Sequence, residues 1–333
     1  MSPQENNLPE LDEKSIENIV KFVSDIRTGY LFNFTTQFHR SLVNAVRGTG
    51  RHITKALPQE LIAANMVRRV LRAIRDELRA LANQSSEYSG DSLQRLVLAA
   101  PSRRATLPSH HDLREPIRDH IAELLGELEA STSAICAQAK EHIHAEELIL
   151  TYGSSSLVEK FLKSSGTNKL KILLIEGPNH LESAAMAVRL STQGVNVTLV
   201  NGAAVGALMP RVNKVVIGVR STLAGGAVLG EGGLLAVTTA AKHYSVPVVA
   251  LTPLYKLSPL HSCDHTHINA LSPPYTALPY MSSESAVTQV LAPMCDFVPP
   301  DHVTLFITNL GGSSPSYIYR LLSELYDPND YQI

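Results

Sequence analysis

The densest set of possible metal ligands is a short stretch of histidines with one cysteine and one aspartate. It runs from His261 to His267, with Cys263, Asp264 and His265 inside it. Zinc sites usually draw their ligands from two short pairs that the fold brings together. This cluster stands alone in a segment rich in proline and serine. We therefore predict no metal site and no cofactor, with metal binding by this loop as the open alternative.

A second possible binding motif is glycine-rich and follows the apolar run that ends at Val219. Gly230 and Gly232 flank Glu231, which gives the first half of the G-x-G-x-x-G fingerprint of dinucleotide-binding proteins. The third glycine is absent, because position 235 is leucine. No G-x-x-x-x-G-K-[ST] phosphate-binding run occurs either. These glycines are therefore expected to permit a tight bend and close packing.

Nucleophilic catalysis would need a reactive serine or cysteine with a base beside it. The sequence has no G-x-S-x-G motif, and its three cysteines lie in different contexts. Cys136 falls in a helical pattern, Cys263 in a loop, and Cys295 before an apolar run. None has an obvious base nearby, so we expect each to be an inert thiol.

The elements that must position these residues are predicted from residue 147 onward as an α/β sheet. Short apolar strands alternate there with helical patterns. The predicted strands are 147–152, 171–176, 195–200, 214–219, 247–251 and 303–308. Parallel strands need crossover connections and are buried on both faces. Because ligands of such sheets bind beyond the carboxyl ends of the strands, any small-molecule site is expected at residues 220–233.

The first part of the chain has helical periodicity instead. Pro58 suits the first turn of one helix. A long helix is predicted from Pro116, with an apolar stripe from Ile117 to Ile143 that covers about seven turns. We therefore predict two domains in an α/β protein. The first is a helical N-terminal domain over residues 1–146, and the second is a Rossmann-like parallel-sheet domain over residues 147–333.

Five arginines mark the helix that follows Pro58, mostly around the faces opposite its apolar stripe. They are Arg68, Arg69, Arg72, Arg75 and Arg79. Exposed charges and pairs at i,i+4 spacing are common on helices. We interpret these arginines as a solvated surface with local acidic partners, and a partner-binding surface is the alternative.

Composition excludes several classes of protein. The 333 residues are 44% hydrophobic and 18% charged with a net charge of -2, which is typical of a core-forming protein without a basic bias toward nucleic acid. No apolar run approaches the ~20 residues that span a bilayer. The start of the chain is polar and acidic, unlike a secretory signal, and three scattered cysteines suit a reducing compartment. We expect a cytosolic protein with no direct nucleic-acid or membrane partner.

Four segments are similar to one known family. They read NMVRRVLRAIRDEL, VNKVVIGVRSTLAGGAVLG, AAKHYSVPVVALTPLYKLSP and FVPPDHVTLFITNLGGSSPSYIYRLLSELYDPND. Together they resemble the regulatory alpha, beta and delta subunits of eukaryotic translation initiation factor 2B, the guanine nucleotide exchange factor for initiation factor 2. The resemblance runs from about residue 14 to the end, and the tail from Asp296 to Asp330 matches the beta branch most specifically.

The resemblance also implies a fold shared with isomerases of ribose bisphosphate or methylthioribose phosphate. Those enzymes use a cysteine in the segment matching ILTYGSSS, where Gly153 stands here. They use an aspartate where Arg220 stands, and an Asn-Lys pair where Gly230 and Glu231 stand. Without a thiol and a carboxylate there is no acid–base pair for the sugar carbon, and a carboxylate repels phosphate. The pocket is therefore expected to be vestigial and the chain not an enzyme.

A non-catalytic role in a ten-chain assembly follows from the resemblance. Its partners would be the alpha, gamma, delta and epsilon subunits, with nucleotide release carried out by epsilon. The chain would help to bind the alpha subunit of initiation factor 2 and to sense its phosphorylation. The alternative is a sugar-phosphate isomerase or sugar-phosphate-sensing protein on the same fold, against which Gly153 and Arg220 argue.

Two surfaces are candidates for partner contact. On family grounds the first lies in the helix STSAICAQAKEHIH, where Ser133, Ala134 and Gln138 fall off the apolar stripe. Plain solvated helix surface is the alternative for these three residues. The second is the last predicted helix with Tyr317, Tyr319 and Tyr326, since aromatic residues are enriched at interface cores. A role in the protein core is the alternative for these tyrosines.

Overall fold

The computed structural model describes residues 35–57, 60–87, 114–166, 170–261, 271, 273 and 289–331. They form two compact units. One, the sheet unit, runs from Ala130 to Glu324. The other, the helical unit, comprises the described residues up to Glu129 together with the chain from Leu325 onward. The two domains predicted with a boundary at residue 146 stay a prediction.

The sheet unit is built on seven strands in the order β10-β9-β7-β4-β1-β2-β3. They are β1 Leu148–Tyr152, β2 Lys171–Ile175, β3 Asn196–Val200, β4 Lys214–Gly218, β7 Val248–Leu251, β9 Leu305–Thr308 and β10 Gly311–Ser313. All neighbouring pairs are parallel except β9 and β10, which form an antiparallel hairpin. The predicted fold class, helices first and then a mostly parallel sheet, is confirmed.

The central strands are apolar because both of their faces are covered. The middle three residues of β1 and β4 and all four residues of β7 are buried, which is the pattern of a parallel strand between two helical layers. The helices of this unit include α5 Ser156–Ser164, α6 His180–Ser191, α7 Val205–Leu208, α8 Leu234–His243 and α9 Ile318–Leu325, which ends one residue into the helical unit. Each overlaps a helical pattern predicted from the sequence.

A second, smaller sheet was not predicted. It consists of β5 Ser221–Thr222, β6 Val228–Glu231 and β8 Cys295–Val298 in antiparallel order β5-β6-β8. The segment expected to be only a glycine-rich bend is therefore a hairpin with a third strand from much later in the chain. This hairpin follows β4 directly and carries Glu231 at its end.

The helical unit contains α1 Thr35–Ala56, α2 Leu61–Glu87 and the first part of α3 Arg114–Ala137. Its core uses the predicted stripe of α2. The buried α2 side chains include Met66, Val67, Val70 and Ile74. Ile121 and Leu124 of α3 are buried as well, as the long apolar stripe predicted.

The interpretation of the α2 arginines as a solvated surface with local partners is wrong for several of them. Arg68 is buried, and Arg75 pairs with Asp330 rather than with a neighbour on the helix. Only the contacts of Arg72 and Arg79 with Asp76 have the local spacing that was expected. Arg69 pairs with Glu127, 58 positions away, and Arg75 and Arg79 reach Asp330 and Asp327, which are 255 and 248 positions away, so no local pattern pointed to these partners.

Candidate functional site

The ligand site expected from the sequence would lie at the topological switch point of the large sheet. The chain builds β1, β2 and β3 in one direction and then crosses to β4 on the other side of β1. Ligands of open α/β sheets bind at such a point, outside the carboxyl ends of the strands. Gly153 directly follows β1, and Arg220 lies two residues past β4. The structure thus places both residues at the predicted edge.

Gly153 sits in the left-handed backbone region, with φ of 65°. Its N–H donates to the carbonyl of Ile175 at 3.0 Å, which ties the turn after β1 to the end of β2. The carboxylate of Glu231 lies where a side chain on Gly153 would project, with Oε2 nearer than 3.0 Å to that Cβ position. A Cβ at Gly177 would also meet this carboxylate, at 3.0 Å. Glu231 therefore occupies the space into which a side chain at position 153 would project.

Tyr152, the last residue of β1, lies near the carboxylate of Glu231. Its hydroxyl donates to the carbonyl of Gly232 and leaves no room for a Cβ at Gly233. Burial raises the pKa of Tyr152 to about 12, and the carboxylates of Glu231 and Asp296 add to the effect. The phenol is therefore a neutral hydrogen-bond donor at physiological pH and not a base.

Gly230 permits close packing, as the sequence analysis expected. A Cβ there would lie closer than 3.0 Å to Cδ2 of Leu234, the first residue of α8. Asp296 of β8 fixes the same helix start, because its Oδ2 accepts hydrogen bonds from the N–H groups of Gly233 at 2.7 Å and Leu235 at 3.0 Å. The helix N-terminus that could have received a ligand phosphate is thus occupied by a protein carboxylate.

Arg220 and Cys295 form a pair that sequence reasoning missed. The guanidinium of Arg220 donates to Sγ of Cys295 over 3.7 Å, and its backbone N–H donates to Leu229. Cys295 is buried and is the register partner of Glu231 across the small sheet. No short motif could have indicated this, since the two strands are more than 60 residues apart in sequence. The thiol lies on the small sheet and not in the turn after β1.

The predicted partner-binding helix is broken at Gln138. Helix α3 ends at Ala137, and a short helix, α4 Ala139–His142, follows, so the prediction of one continuous helix through Ile143 is wrong. The side-chain amide of Gln138 donates to the carbonyl of Thr308 at 2.8 Å and to that of Ala134 at 3.3 Å. Ser133 is exposed and Ala134 is half-buried. Gln138 thus anchors the break to the end of β9, and Ser133 is the solvent-facing member of the three.

The tyrosines of the last helical segment divide between surface and core. Tyr317 and Tyr319 are 40% and 64% exposed, whereas Tyr326 is 1% exposed and belongs to the core. The guanidinium of Arg320 lies 5.6 Å from the ring centroid of Tyr317. Aromatic side chains held in this way on a surface are available to a partner.

The remaining candidates carry little chemistry. His261 is exposed, and the other members of its cluster, Cys263 to His267, lie outside the described residues. Within the described ranges, no three histidine, cysteine or acidic side chains are grouped to hold a metal ion. No helix of the described part is both long and apolar enough to cross a membrane.

Comparisons with known proteins indicate one family. Residues 11–315 match the Initiation factor 2 subunit family. The chain is similar to translation initiation factor eIF2B subunit beta of Schizosaccharomyces pombe, with 32% identity over 87% of this chain and 86% of that protein. It is 34% identical to eIF2B subunit beta of Dictyostelium discoideum, with the same coverage.

Solved structures show the same similarity. The chain superposes on a chain of the tetrameric eIF2B-beta2-delta2 complex from C. thermophilum with a TM-score of 0.71 and 25% identity, over 95% of this chain and 90% of that one. It superposes on eIF2B beta from Chaetomium thermophilum with a TM-score of 0.70 and 24% identity, over 96% and 86%. The second similarity concerns the fold alone.

Proposed function

The chain belongs to the Initiation factor 2 subunit family, and from this premise we propose that it is a non-catalytic regulatory subunit of the guanine nucleotide exchange factor for translation initiation factor 2. In this role it works in the cytosol by docking to other proteins. It needs no cofactor of its own and contacts neither nucleic acid nor a membrane directly.

One observation carries the non-catalytic part of the proposal: Glu231 fills the cleft corner beside Gly153. A sugar-phosphate ligand would need a nucleophile or base there and a cation for its phosphate. The cleft instead presents a carboxylate, a neutral phenol and a helix start capped by Asp296. The two carboxylates repel an anionic ligand from this corner.

The partners in this proposal are the alpha, gamma, delta and epsilon subunits of the exchange factor. Support comes from the beta2-delta2 complex to which the chain is similar. Tyr317 and Tyr319 are the residues we assign to subunit contact, because both rings are exposed beside buried neighbours. Burying such rings at an interface would remove apolar area from water on both partners.

A second surface in this proposal binds the alpha subunit of initiation factor 2 and responds to its phosphorylation. It comprises Ser133, Ala134 and Gln138. Ser133 faces solvent, and its hydroxyl bonds only within its own helix, to the carbonyl of Ala130. Gln138 acts as a positioning residue, because its amide holds the helix break against Thr308. The surface therefore has a fixed shape before any partner arrives.

The alternative function, a sugar-phosphate isomerase, has one observation in its favour. Cys295 and Glu231 are register partners, and Arg220 lies beside the thiol. Such an enzyme would have to use Cys295 in place of the missing cysteine at residue 153. Turnover of ribose 1,5-bisphosphate or methylthioribose 1-phosphate that disappears in Cys295→Ser would establish this alternative.

Co-expression with candidate partner subunits, followed by native mass measurement, tests the assembly directly. We expect the chain to be recovered in a complex with a delta-type subunit. Recovery as a monomer that ignores all four candidate partners would contradict the proposal. Tyr319→Ala should weaken the complex, whereas Tyr244→Ala, at an exposed tyrosine just after α8, serves as the matched control.

A further inference from the structure

The last residues of the helical unit form a short acidic segment that inserts into a set of arginines. We call residues 325–331 the strap and Arg47, Arg68, Arg75 and Arg79 the clasp. Asp330 of the strap is completely buried, and Tyr326 is 1% exposed. The strap is therefore anchored at both of its ends, by an aromatic ring and by a carboxylate.

Asp330 is held by a fork of charged hydrogen bonds. Arg75 donates from Nε at 2.7 Å and from Nη2 at 2.8 Å to its two carboxylate oxygens. Arg47 donates to the same carboxylate at 2.6 Å. Two-pronged pairs of this kind between arginine and carboxylate are selective for geometry as well as charge. Lysine in place of Arg75, or an amide in place of Asp330, would not reproduce them.

The clasp also contacts the backbone of the strap and its middle residues. Arg68 donates to the carbonyls of Asp330 at 3.3 Å and Tyr331 at 3.1 Å. Arg79 pairs with Asp327 at 2.6 Å. Burial raises the pKa of Asp327, but hydrogen bonds from Asn329, Arg79 and the backbone outweigh it and lower that pKa overall. The clasp thus binds both carboxylates of the strap, Asp327 and Asp330, at a fixed spacing, and Tyr326 is buried directly before them.

Arg47 of the clasp keeps one unused donor while the strap is in place. In the described part of the chain, its Nε is buried without a hydrogen-bond partner, and so is Nη1 of Arg69, which is not part of the clasp. The apolar part of the strap's anchorage comes mainly from Tyr326, since Pro328 and Asn329 are exposed. A segment held mostly by ion pairs and one ring resembles a bound peptide ligand more than a core element.

We propose that the helical unit carries a recognition site for the acidic peptide motif Tyr-Asp-x-x-Asp, and that the chain's own strap fills this site as a detachable ligand. Tethering raises the strap's effective concentration at the clasp, so the site is normally occupied. Weakening the Asp330 fork lets the strap leave and makes the site available to the same peptide added in solution.

The experiment uses the full chain with Asp330→Asn and hydrogen exchange measured by mass spectrometry. We expect the strap amides and the α2 segment around Arg68 and Arg75 to exchange at least about tenfold faster, a loss typical of one charged hydrogen-bond pair. Exchange in β1 and β4 should stay unchanged. The matched control is Glu324→Gln, an exposed acid just before the strap that pairs only with Arg320 in its own helix.

A synthetic peptide with the sequence of residues 322–331, LSELYDPNDY, then tests exchange in trans. It should restore protection to Asp330→Asn and bind it at least about tenfold more tightly than the same peptide with asparagine at position 330. Equal binding of the two peptides would overturn the proposal. Unchanged strap exchange in the variant, or faster exchange throughout the sheet unit, would overturn it as well.

Discussion

The carboxylate of Glu231 stands in the direction of the missing side chain of Gly153, with Oε2 less than 3.0 Å from the position of a Cβ. Any side chain at 153 would therefore displace Glu231 from this corner. The left-handed φ of 65° at Gly153 adds a second obstacle, since residues with a Cβ adopt that conformation at a cost. The two residues together keep the cleft beyond β1 filled.

Gly153→Ala should lower the free energy of unfolding by about 1–3 kcal/mol, because the strain of a left-handed backbone adds to the smaller cost of displacing the exposed carboxylate of Glu231. Gly166→Ala is the matched control: its φ is 66° and no atom lies within 4 Å of its Cβ position. That variant should lose only about 1 kcal/mol from backbone strain. Urea denaturation of both variants measures the difference.

The same contact predicts a coupling between the two positions. In Gly153→Ala/Glu231→Ala, the loss should be smaller than the sum of the single losses by about 0.5–3 kcal/mol, because shortening residue 231 removes the collision. Strictly additive losses, or equal effects of alanine at 153 and at 166, would show that Glu231 does not fill this corner.

The neutral phenol of Tyr152 predicts a particular alkaline behaviour. Its pKa of about 12 lies above the ordinary value of about 10. The folded state therefore keeps this proton longer than the unfolded chain does. Its contribution to stability is complete below about pH 10 and is lost as the pH rises through about 12.

Tyr152→Phe should thus lose less stability than the wild type between about pH 10 and 12. Glu231→Gln should lower the pKa of Tyr152, since it removes one of the charges that raise it. Tyrosine absorbance titrations and urea unfolding at stepped pH measure both effects, with the exposed Tyr244→Phe as control. If the two phenylalanine variants remove the same titration step, the burial of Tyr152 is refuted.

Asp296 is predicted to hold the start of α8. Asp296→Ala should reduce the free energy of unfolding by about 1–2 kcal/mol, because two backbone N–H groups lose their charged acceptor. The control is Asp301→Ala, which removes an exposed acid that pairs with Lys242 and should show no measurable change. Faster hydrogen exchange confined to α8 would accompany the effect. Equal midpoints for the two variants would contradict it.

Ser133 tests the proposed surface for initiation factor 2. Ser133→Arg should weaken binding of the alpha subunit of initiation factor 2 by at least about tenfold, since a long charged side chain blocks a flat contact. The melting temperature should not change, because Ser133 is exposed and bonds only within its helix. Asn196→Arg, at an exposed position at the start of β3, is the control. Unaltered binding by Ser133→Arg would remove this residue from the surface.

The parts of the fold that sequence predicted best are those with an unambiguous burial pattern. Strands β1, β2, β4 and β7 are short apolar runs because helices cover both faces, and a continuous run is what such a strand requires. The position of the cleft followed from the order of those strands along the chain. The resemblance assigned Gly153 and Arg220 to that site, and in the structure they follow the carboxyl ends of β1 and β4.

What sequence could not predict depends on pairings across long separations. Strand β5 has two residues, and β6 pairs with β8 across a gap of more than 60 positions, so no local pattern marks the small sheet. The fork between Arg75 and Asp330 joins residues 255 positions apart. Gln138 falls in a helical pattern, and only its bond to Thr308 shows why the helix breaks there.

The measurement that tests the account most directly is the rate of nucleotide release from initiation factor 2, with its alpha subunit unphosphorylated or phosphorylated. It is made on the exchange factor assembled with this chain and without it. The account predicts that release continues without the chain while the response to phosphorylation is lost. An identical phosphorylation response without the chain would contradict its regulatory role.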